Sequence, residues 1–381
     1  MIVDKKRLIT TAGKIVILVI MVLLFNKLTN QAFFTQRNMT MLLKQGSVLM
    51  ILTSSLMLLL IQTNIDLSGG AGVYLTGVVC ALLIVRMNWH YVPAIIVAIL
   101  LGMIMGGING FFVGKIGLPA FIVTLAAQQI FRGTGYVLTD ATTIGPMPKE
   151  FIMISEYSIP PLISALIVTV VVVLFLIENF VKYKKSGERF KNKEKMISDI
   201  TRALLIGVLL IWVFLGYNGI PMAVVIASVT VFSTFIITNK TVFGRRSYLV
   251  GGNKEASRLA GVNINNVMLR TYLYEGLMYG IGGVVLTARL GGAAATGGNL
   301  LELDAVAAAC IGGVSMSGGS GTIQGCVLGV IVLTAIDNVM SLMNISSYIQ
   351  MVVKGIILLI AVSIDLYTNK SKLKFKLRKE A

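Results

Sequence analysis

Hydrophobic residues in this chain come in long unbroken runs, not at alternate positions. The runs are Ile15–Leu28, Gly46–Ile61, Ala71–Met87, Tyr91–Val113, Pro119–Leu138, Pro160–Val181, Ala203–Tyr217, Pro221–Thr238, Met268–Leu290, Leu303–Met316, Thr322–Met343 and Tyr348–Tyr367. Alternation over about ten residues would mark strands of a membrane barrel, and it is absent. A lipid core takes about 20 helical residues to cross, and several runs reach that length. Gly46–Ile61, Ala203–Tyr217 and Leu303–Met316 fall short, which predicts tilted, broken or re-entrant segments. The first run follows Lys5, Lys6 and Arg7, as in a secretory signal. It lacks a small-residue cleavage site and leads into further runs, so it reads as an uncleaved first helix.

Composition agrees. Of 381 residues, 56% are hydrophobic and 13% charged, against about 25% charged in ordinary soluble domains. A cytosolic enzyme, a disordered chain and a secreted disulfide domain are excluded. An all-α polytopic membrane protein remains, a single membrane domain over 1–381 with ten to twelve crossings. The net charge of +17 sharpens the picture. With a cytoplasmic N-terminus, residues 1–14, the loops 182–202 and 239–266, the tail 368–381 and Lys115 fall inside. Together they hold 24 of the 33 basic residues. The opposite phase puts the two richest loops outside, against the positive-inside bias. Both termini are therefore expected in the cytoplasm, and the surplus reflects topology, not nucleic-acid binding. Cys80, Cys310 and Cys326 are isolated in apolar stretches and read as inert buried thiols. His90, between Trp89 and Tyr91, reads as part of an interfacial aromatic belt.

Two stretches resemble each other weakly. Ile65-Asp66-Leu67, Gly102-x3-Gly106, Asn109, Leu118 to Val123 and Arg132-Gly133 line up with Leu303-Asp304, Gly325-x3-Gly329, Asn338, Ile345 to Gln350 and Lys354-Gly355. A shift of seven crossings would invert one half relative to the other, a recurring transporter design. Shared glycine content alone could also produce the likeness. Polar side chains at lipid depth are costly and face a bundle interior or a cavity. Asn64, Asp66, Asn109, Gln128, Gln129, Arg132, Glu275, Arg289, Glu302, Asp304, Asp337, Asn338, Gln350 and Lys354 qualify, each also readable as a bond between helices. For Glu275, Asp337 and Lys354 the structural reading is preferred. Asn64, Asp66, Asn109, Glu302, Asp304 and Asn338 are the candidates for a translocation pathway, Asp66 and Asp304 foremost, because they lie at corresponding places in the two stretches, next to glycine-rich breaks.

Leu67-Ser68-Gly69-Gly70 matches the start of an ATPase signature. No G-x4-G-K-[ST] loop accompanies it, so it reads as a break between membrane helices. Glu255 through Ala260 can form a short helix with small residues on one face, closed by Gly261 in a left-handed cap. A solvated surface helix is the plain alternative. Glu255-Ala256-Ser257-x3-Gly261 has the spacing of the E-A-A-x3-G element of ABC importer permeases. Around it run Phe243-Gly244-Arg245-Arg246, Gly251-Gly252-Asn253, Arg258-Leu259-x-Gly261-Val262-Asn263, Ala288-Arg289-Leu290, Gly298-Asn299, Glu302 to Ala308, Ile311-Gly312-Gly313 and Gly318-Gly319-x-Gly321. Ile65-Asp66-Leu67-Ser68 and Pro119-x-Phe121 to Leu125 precede them. In this order the chain resembles the ribose/xylose/galactose group of ABC sugar-importer permeases over about residues 38–367. The extra hydrophobic pair around 160–220 is similar to xylose-type and multiple-monosaccharide-type permeases. Gly69 departs from the group, which usually has a bulkier residue there.

The resemblance implies a fold like the vitamin B12 importer class and no cofactor or catalytic residue. ATP hydrolysis would take place in a partner ATPase docked on Glu255, Ala256, Ser257, Arg258 and Gly261. It also implies an extracytoplasmic sugar-binding protein, a second permease copy, a monosaccharide substrate such as xylose, and a bacterial inner membrane. An ion-driven secondary transporter, or a permease of this class for amino acids or nucleosides, stays open.

Overall fold

The computed structural model describes residues 20–185 and 193–380. The basic residues of 1–14, the start of the first apolar run and residues 186–192 of the basic loop lie outside the described residues. After a helical stretch at 20–28 the elements run α1 (Gln36–Ile61), α2 (Gly69–Ala81, continued by a π turn Leu82–Arg86), α3 (Tyr91–Phe111, with a π turn Phe112–Ile116), α4 (Ala120–Thr139), α5 (Lys149–Glu156), β1 (Ser158–Ile159), α6 (Pro161–Lys185), α7 (Lys193–Gly216), β2 (Ile220–Pro221), α8 (Met222–Lys240), α9 (Val242–Gly252), α10 (Lys254–Leu259), α11 (Ile264–Leu290), α12 (Leu301–Ile311), α13 (Ile323–Leu342) and α14 (Ser347–Glu380). Eight of the described helices are long and apolar enough to cross a membrane. Two others, α4 and α11, are as long but carry Gln128, Gln129 and Arg132, and Arg270, Glu275 and Arg289.

The three short runs turn out differently from one another. Gly46–Ile61 is the inner part of a 26-residue helix, and Ala203–Tyr217 belongs to one of 24 residues. Gln, Lys and Glu at their starts are good helix formers, so the helices extend past the apolar stretch. Leu303–Met316 is short in fact. Its helix α12 has 11 residues, about 16 Å, half a bilayer core.

The contacts divide the described residues into two compact units. The smaller draws on Met1–Lys44, Ser158–Pro221 and Asp337–Ile345. In it α6 packs on α7, and β1 pairs with β2 antiparallel, Ser158 opposite Pro221. Phe34 stacks on Trp212 at 5.1 Å, and Asn38 and Asn338 exchange amide hydrogen bonds of 2.8 and 3.0 Å. Large apolar side chains such as Leu162, Leu166, Leu205 and Val208 stay exposed, as lipid-facing positions require.

The larger unit takes Gln45–Tyr157, Met222–Ile336 and Ser346–Ala381. Its axis is α11, against which α2 and α3 pack most closely. Lipid tails are as apolar as leucine, so these helices hold together by close backbone approach and not by hydrophobic exclusion. Gly102 and Gly106 of α3 face Gly276 and Gly280 of α11. A Cβ on Gly106 would lie 2.8 Å from Gly276 Cα, and one on Gly102 2.8 Å from the Gly280 nitrogen. The second half repeats the device: Gly325 and Gly329 of α13 meet Gly312 and Ala308 at the end of α12. The small-xxx-small spacings of both halves therefore serve close backbone crossings, α3 on α11 and α13 on the end of α12.

The crossing gives a test. Gly276→Ala should cost about 1–3 kcal/mol through overpacking. Gly133→Ala, with nothing within 4 Å of its new Cβ, should leave stability unchanged or raise it. Thermal unfolding of both variants in the same detergent measures this. Equal midpoints would mean that the α3–α11 contact does not hold the bundle.

Candidate functional site

Between α1 and α2 the chain leaves the helix for Gln62–Ser68. Asn64, Asp66 and Ser68 favour this, since their side chains compete for backbone groups. Asp66 Oδ1 accepts from Ser68 N at 2.7 Å and from Ser68 Oγ at 2.7 Å. Asp66 Oδ2 accepts from the Tyr279 hydroxyl, and Asn109 Nδ2 donates to Ser68 Oγ at 2.9 Å. All four residues are buried. Tyr279 lies near the middle of α11, whose 27 residues span about 40 Å, so the network sits at mid-depth of the larger unit along that helix. Asp66 and Asn109, two of the pathway candidates, are thus brought together. Ser68 and Tyr279 complete the group, and the sequence reading did not single them out as site residues.

A second helix starts at the same level. The segment after α11 ends at Gly298 and Leu300, both with positive φ, and α12 follows. A Cβ on Gly70 would strike Gly298 O and Glu302 Oε2, so the starts of α2 and α12 lie backbone to backbone. Glu302 is buried. Its Oε1 accepts from Gln128 Nε2 at 2.7 Å, while Oε2 has no hydrogen-bond partner. Arg132 donates to Gly297 O at 2.6 Å and lies 4.6 Å above the Tyr74 ring. Two helix N-termini, each carrying partial positive charge, therefore meet with a carboxylate beside each: Asp66 for α2 and Glu302 for α12.

The remaining candidates go elsewhere. Asp304 pairs with Lys354 Nζ at 2.8 Å, two residues along α12 from Glu302. That pairing gives Lys354 the helix-joining role expected of it. Asn338 belongs to the smaller unit, where it exchanges amide hydrogen bonds with Asn38. Arg289 donates to Gln45 O at 2.8 Å, Gln129 is exposed, and Glu275 is fully buried. Asn64 is buried, with its Nδ2 unpartnered.

The 239–266 segment is built of α9, α10 and the start of α11, each capped by a side chain. Thr241 Oγ1 accepts from Gly244 N at 3.1 Å, Asn253 Oδ1 from Ala256 N at 2.9 Å, and Asn263 Oδ1 from Asn266 N at 3.0 Å. At the end of α10, Gly261 N donates to Arg258 O and Val262 N to Ser257 O, both at 3.0 Å. This is a Schellman closure, and it needs the φ of +78° that Gly261 adopts. The helix end expected at Gly261 is thus present. Glu255, Ala256 and Arg258 are exposed, with Glu255 and Arg258 3.6 Å apart. Leu259 is 81% exposed, an apolar tip that the sequence reading passed over. Ser257 faces inward, its Oγ donating to Asn253 O at 2.8 Å.

This segment is tied to the break at mid-depth. Gln62 Nε2 donates to Ser247 Oγ of α9 at 3.1 Å and to Thr271 Oγ1 of α11 at 2.7 Å. Gly319 N donates to Ile61 O at 2.8 Å, and Gly251 lies so close to Ile61 O that a side chain would clash. Gly114 packs against Asn265 and Met268, so Lys115 and the capped segment lie at the same end of α11.

With the geometry in hand, the chain can be compared with known proteins. The family described as branched-chain amino acid transport system / permease component matches residues 38–362. The xylose transport system permease protein XylH of Escherichia coli (strain K12) is 33% identical over 356 residues, 93% of this chain and 91% of that one. The same-named protein of Haemophilus influenzae (strain ATCC 51907 / DSM 11121 / KW20 / Rd) is 33% identical over 352 residues, 92% and 94%. The ribose import permease protein RbsC of Escherichia coli (strain K12) is 30% identical over 334 residues, 87% of each. No solved structure matches the chain.

The mid-depth network yields an ordered expectation. Asp66→Ala orphans the buried Ser68 N–H, at about 1–3 kcal/mol, and leaves the Tyr279 hydroxyl only its 3.3 Å contact with Ser68 Oγ. Asn109→Ala removes one bond to a hydroxyl and should cost less. Thermal midpoints in detergent should fall further for Asp66→Ala. Equal losses would show that Asp66 is not the hub.

Proposed function

This chain belongs to the branched-chain amino acid transport system / permease component family, and from that premise we propose that it is the membrane-spanning permease subunit of an ATP-driven importer for a monosaccharide, xylose or a related aldose. The observation that carries the substrate class is the near full-length similarity to permeases named for xylose and for ribose. A permease contains no motor, so the cycle needs an ATPase, which we place on α10 and its flanks. A helix closed at both ends by caps, presenting Leu259 between exposed polar residues, can transmit displacement without unwinding. An extracytoplasmic binding protein delivers the sugar from the other side, and a second copy completes the channel.

The orientation follows from charge. Lys115 and the 239–266 segment share one end of α11, and both are cytoplasmic in the positive-inside assignment, with the two chain termini. The membrane is the bacterial inner membrane in this reading. From the cytoplasmic end, force on α10 reaches Gln62 through α9, and Gln62 stands four residues before Asp66. Asp66, Asn109 and Glu302 then mark the level at which access alternates. Sugar binding along the path should be weak, since a tight site would slow release; pores obey the same rule.

Purification with its ATPase and reconstitution into vesicles with the binding protein tests this reading. Xylose should stimulate ATP hydrolysis and accumulate only when ATP is present. The family description names branched-chain amino acids, so leucine is the competing substrate to include. Uptake that follows an ion gradient and ignores ATP would contradict the proposal. Gly261→Pro tests the coupling segment: proline holds φ near −65° and lacks the N–H that bonds Arg258 O. The variant should insert normally and hydrolyse ATP without importing sugar. Undiminished uptake would remove α10 from the mechanism.

A further inference from the structure

Below the mid-depth network, at the end of α11 that carries the capped segment, the larger unit holds an open cleft of about 500 Å³. That is within the range of small-molecule sites. Three separate elements wall it: the break after α1, the turn into α4, and the junction of α10 with α11. Its polar groups are the Thr63 hydroxyl, the Asn64 and Asn265 amides and the Lys254 ammonium. Phe121, 55% exposed, and Met268 supply apolar surface. No carboxylate lines it. Asn64 is 5% exposed, yet its Nδ2 has no hydrogen-bond partner. A buried amide group without a partner is destabilising, so a ligand that satisfied the Asn64 amide would be held in part by that gain.

We propose that this cleft is a low-affinity exit site for a neutral monosaccharide, occupied between the mid-depth network and the cytoplasm. A sugar has an apolar C–H face for Phe121 and hydroxyls that both donate and accept, which suits two amides and a hydroxyl. A cationic ligand would face Lys254 with no compensating carboxylate. The few polar groups set millimolar affinity, as an exit site requires. Lys254 is the first residue of α10, so a displacement of the coupling segment changes the wall of the cleft directly. Sugar release and the ATPase stroke are linked there. The proposal rests on the importer reading and adds a place and a ligand class to it.

Thiol protection tests it on the whole chain in nanodiscs. Asn265→Cys puts a thiol in the cleft, and Asn266→Cys, the adjacent exposed residue outside it, is the control. The three native cysteines are buried, and the unsubstituted chain gives their background rate. Xylose at tenfold its dissociation constant should slow maleimide labelling of residue 265 about tenfold and leave residue 266 unchanged. Adding Asn64→Ala should weaken that protection several-fold. Equal slowing at both positions, or protection indifferent to Asn64→Ala, would overturn the site. Uptake by the reconstituted complex separates the two levels of the account. Uptake without protection removes the exit site alone; neither uptake nor protection removes the importer reading with it.

Discussion

Two helices begin inside the larger unit, where their first backbone groups are buried among other helices. The free N–H groups at the starts of α2 and α12 need compensation from the protein itself, because an unsatisfied group in hydrocarbon costs several kcal/mol. Asp66 and Glu302 stand beside them, and most of the surrounding architecture serves to keep those carboxylates in place. Tyr279 and Asn109 hold Asp66 and Ser68, so α11 and α3 must approach α2 closely. The approach of α2 to α11 uses Gly72, Gly77 and Gly283, and that of α3 to α11 the paired glycines at 102, 106, 276 and 280. The glycine crossings follow from this carboxylate geometry as much as from helix association.

The same break connects mid-depth to the capped segment. Gln62 bonds α9 and α11 at once, and Ile61 and Gly251 are in backbone contact. A stiff short helix at the surface is thus joined, through one buried amide, to the place where two helix starts meet. Spatial continuity does not measure energetic coupling. It does identify which residue a displacement of α10 meets first on its way to Asp66.

Much of this was legible in the sequence because it depends on local chemistry. The apolar runs marked the membrane helices, the Glu255–Gly261 spacing marked a capped knob, and Asp-Leu-Ser beside Gly-Gly marked a broken helix. Lengths were misjudged at Gly46–Ile61 and Ala203–Tyr217, where polar but helix-forming residues extend the helix beyond lipid. The partners at depth were hidden for a different reason. Tyr279 and Gln62 sit in otherwise ordinary stretches, and only packing across more than 180 positions gives them roles. The glycine pairs at 102/106 and 325/329 both make close backbone crossings, whereas Asn109 bonds Ser68 and Asn338 bonds Asn38, partners that spacing does not reveal.

The central claim is that the ATPase stroke reaches the mid-depth break through Gln62. The most direct measurement is the number of sugar molecules imported per ATP hydrolysed by reconstituted transporter carrying Gln62→Ala. The account predicts a clear fall in that ratio with ATP hydrolysis retained. An unchanged ratio would contradict it.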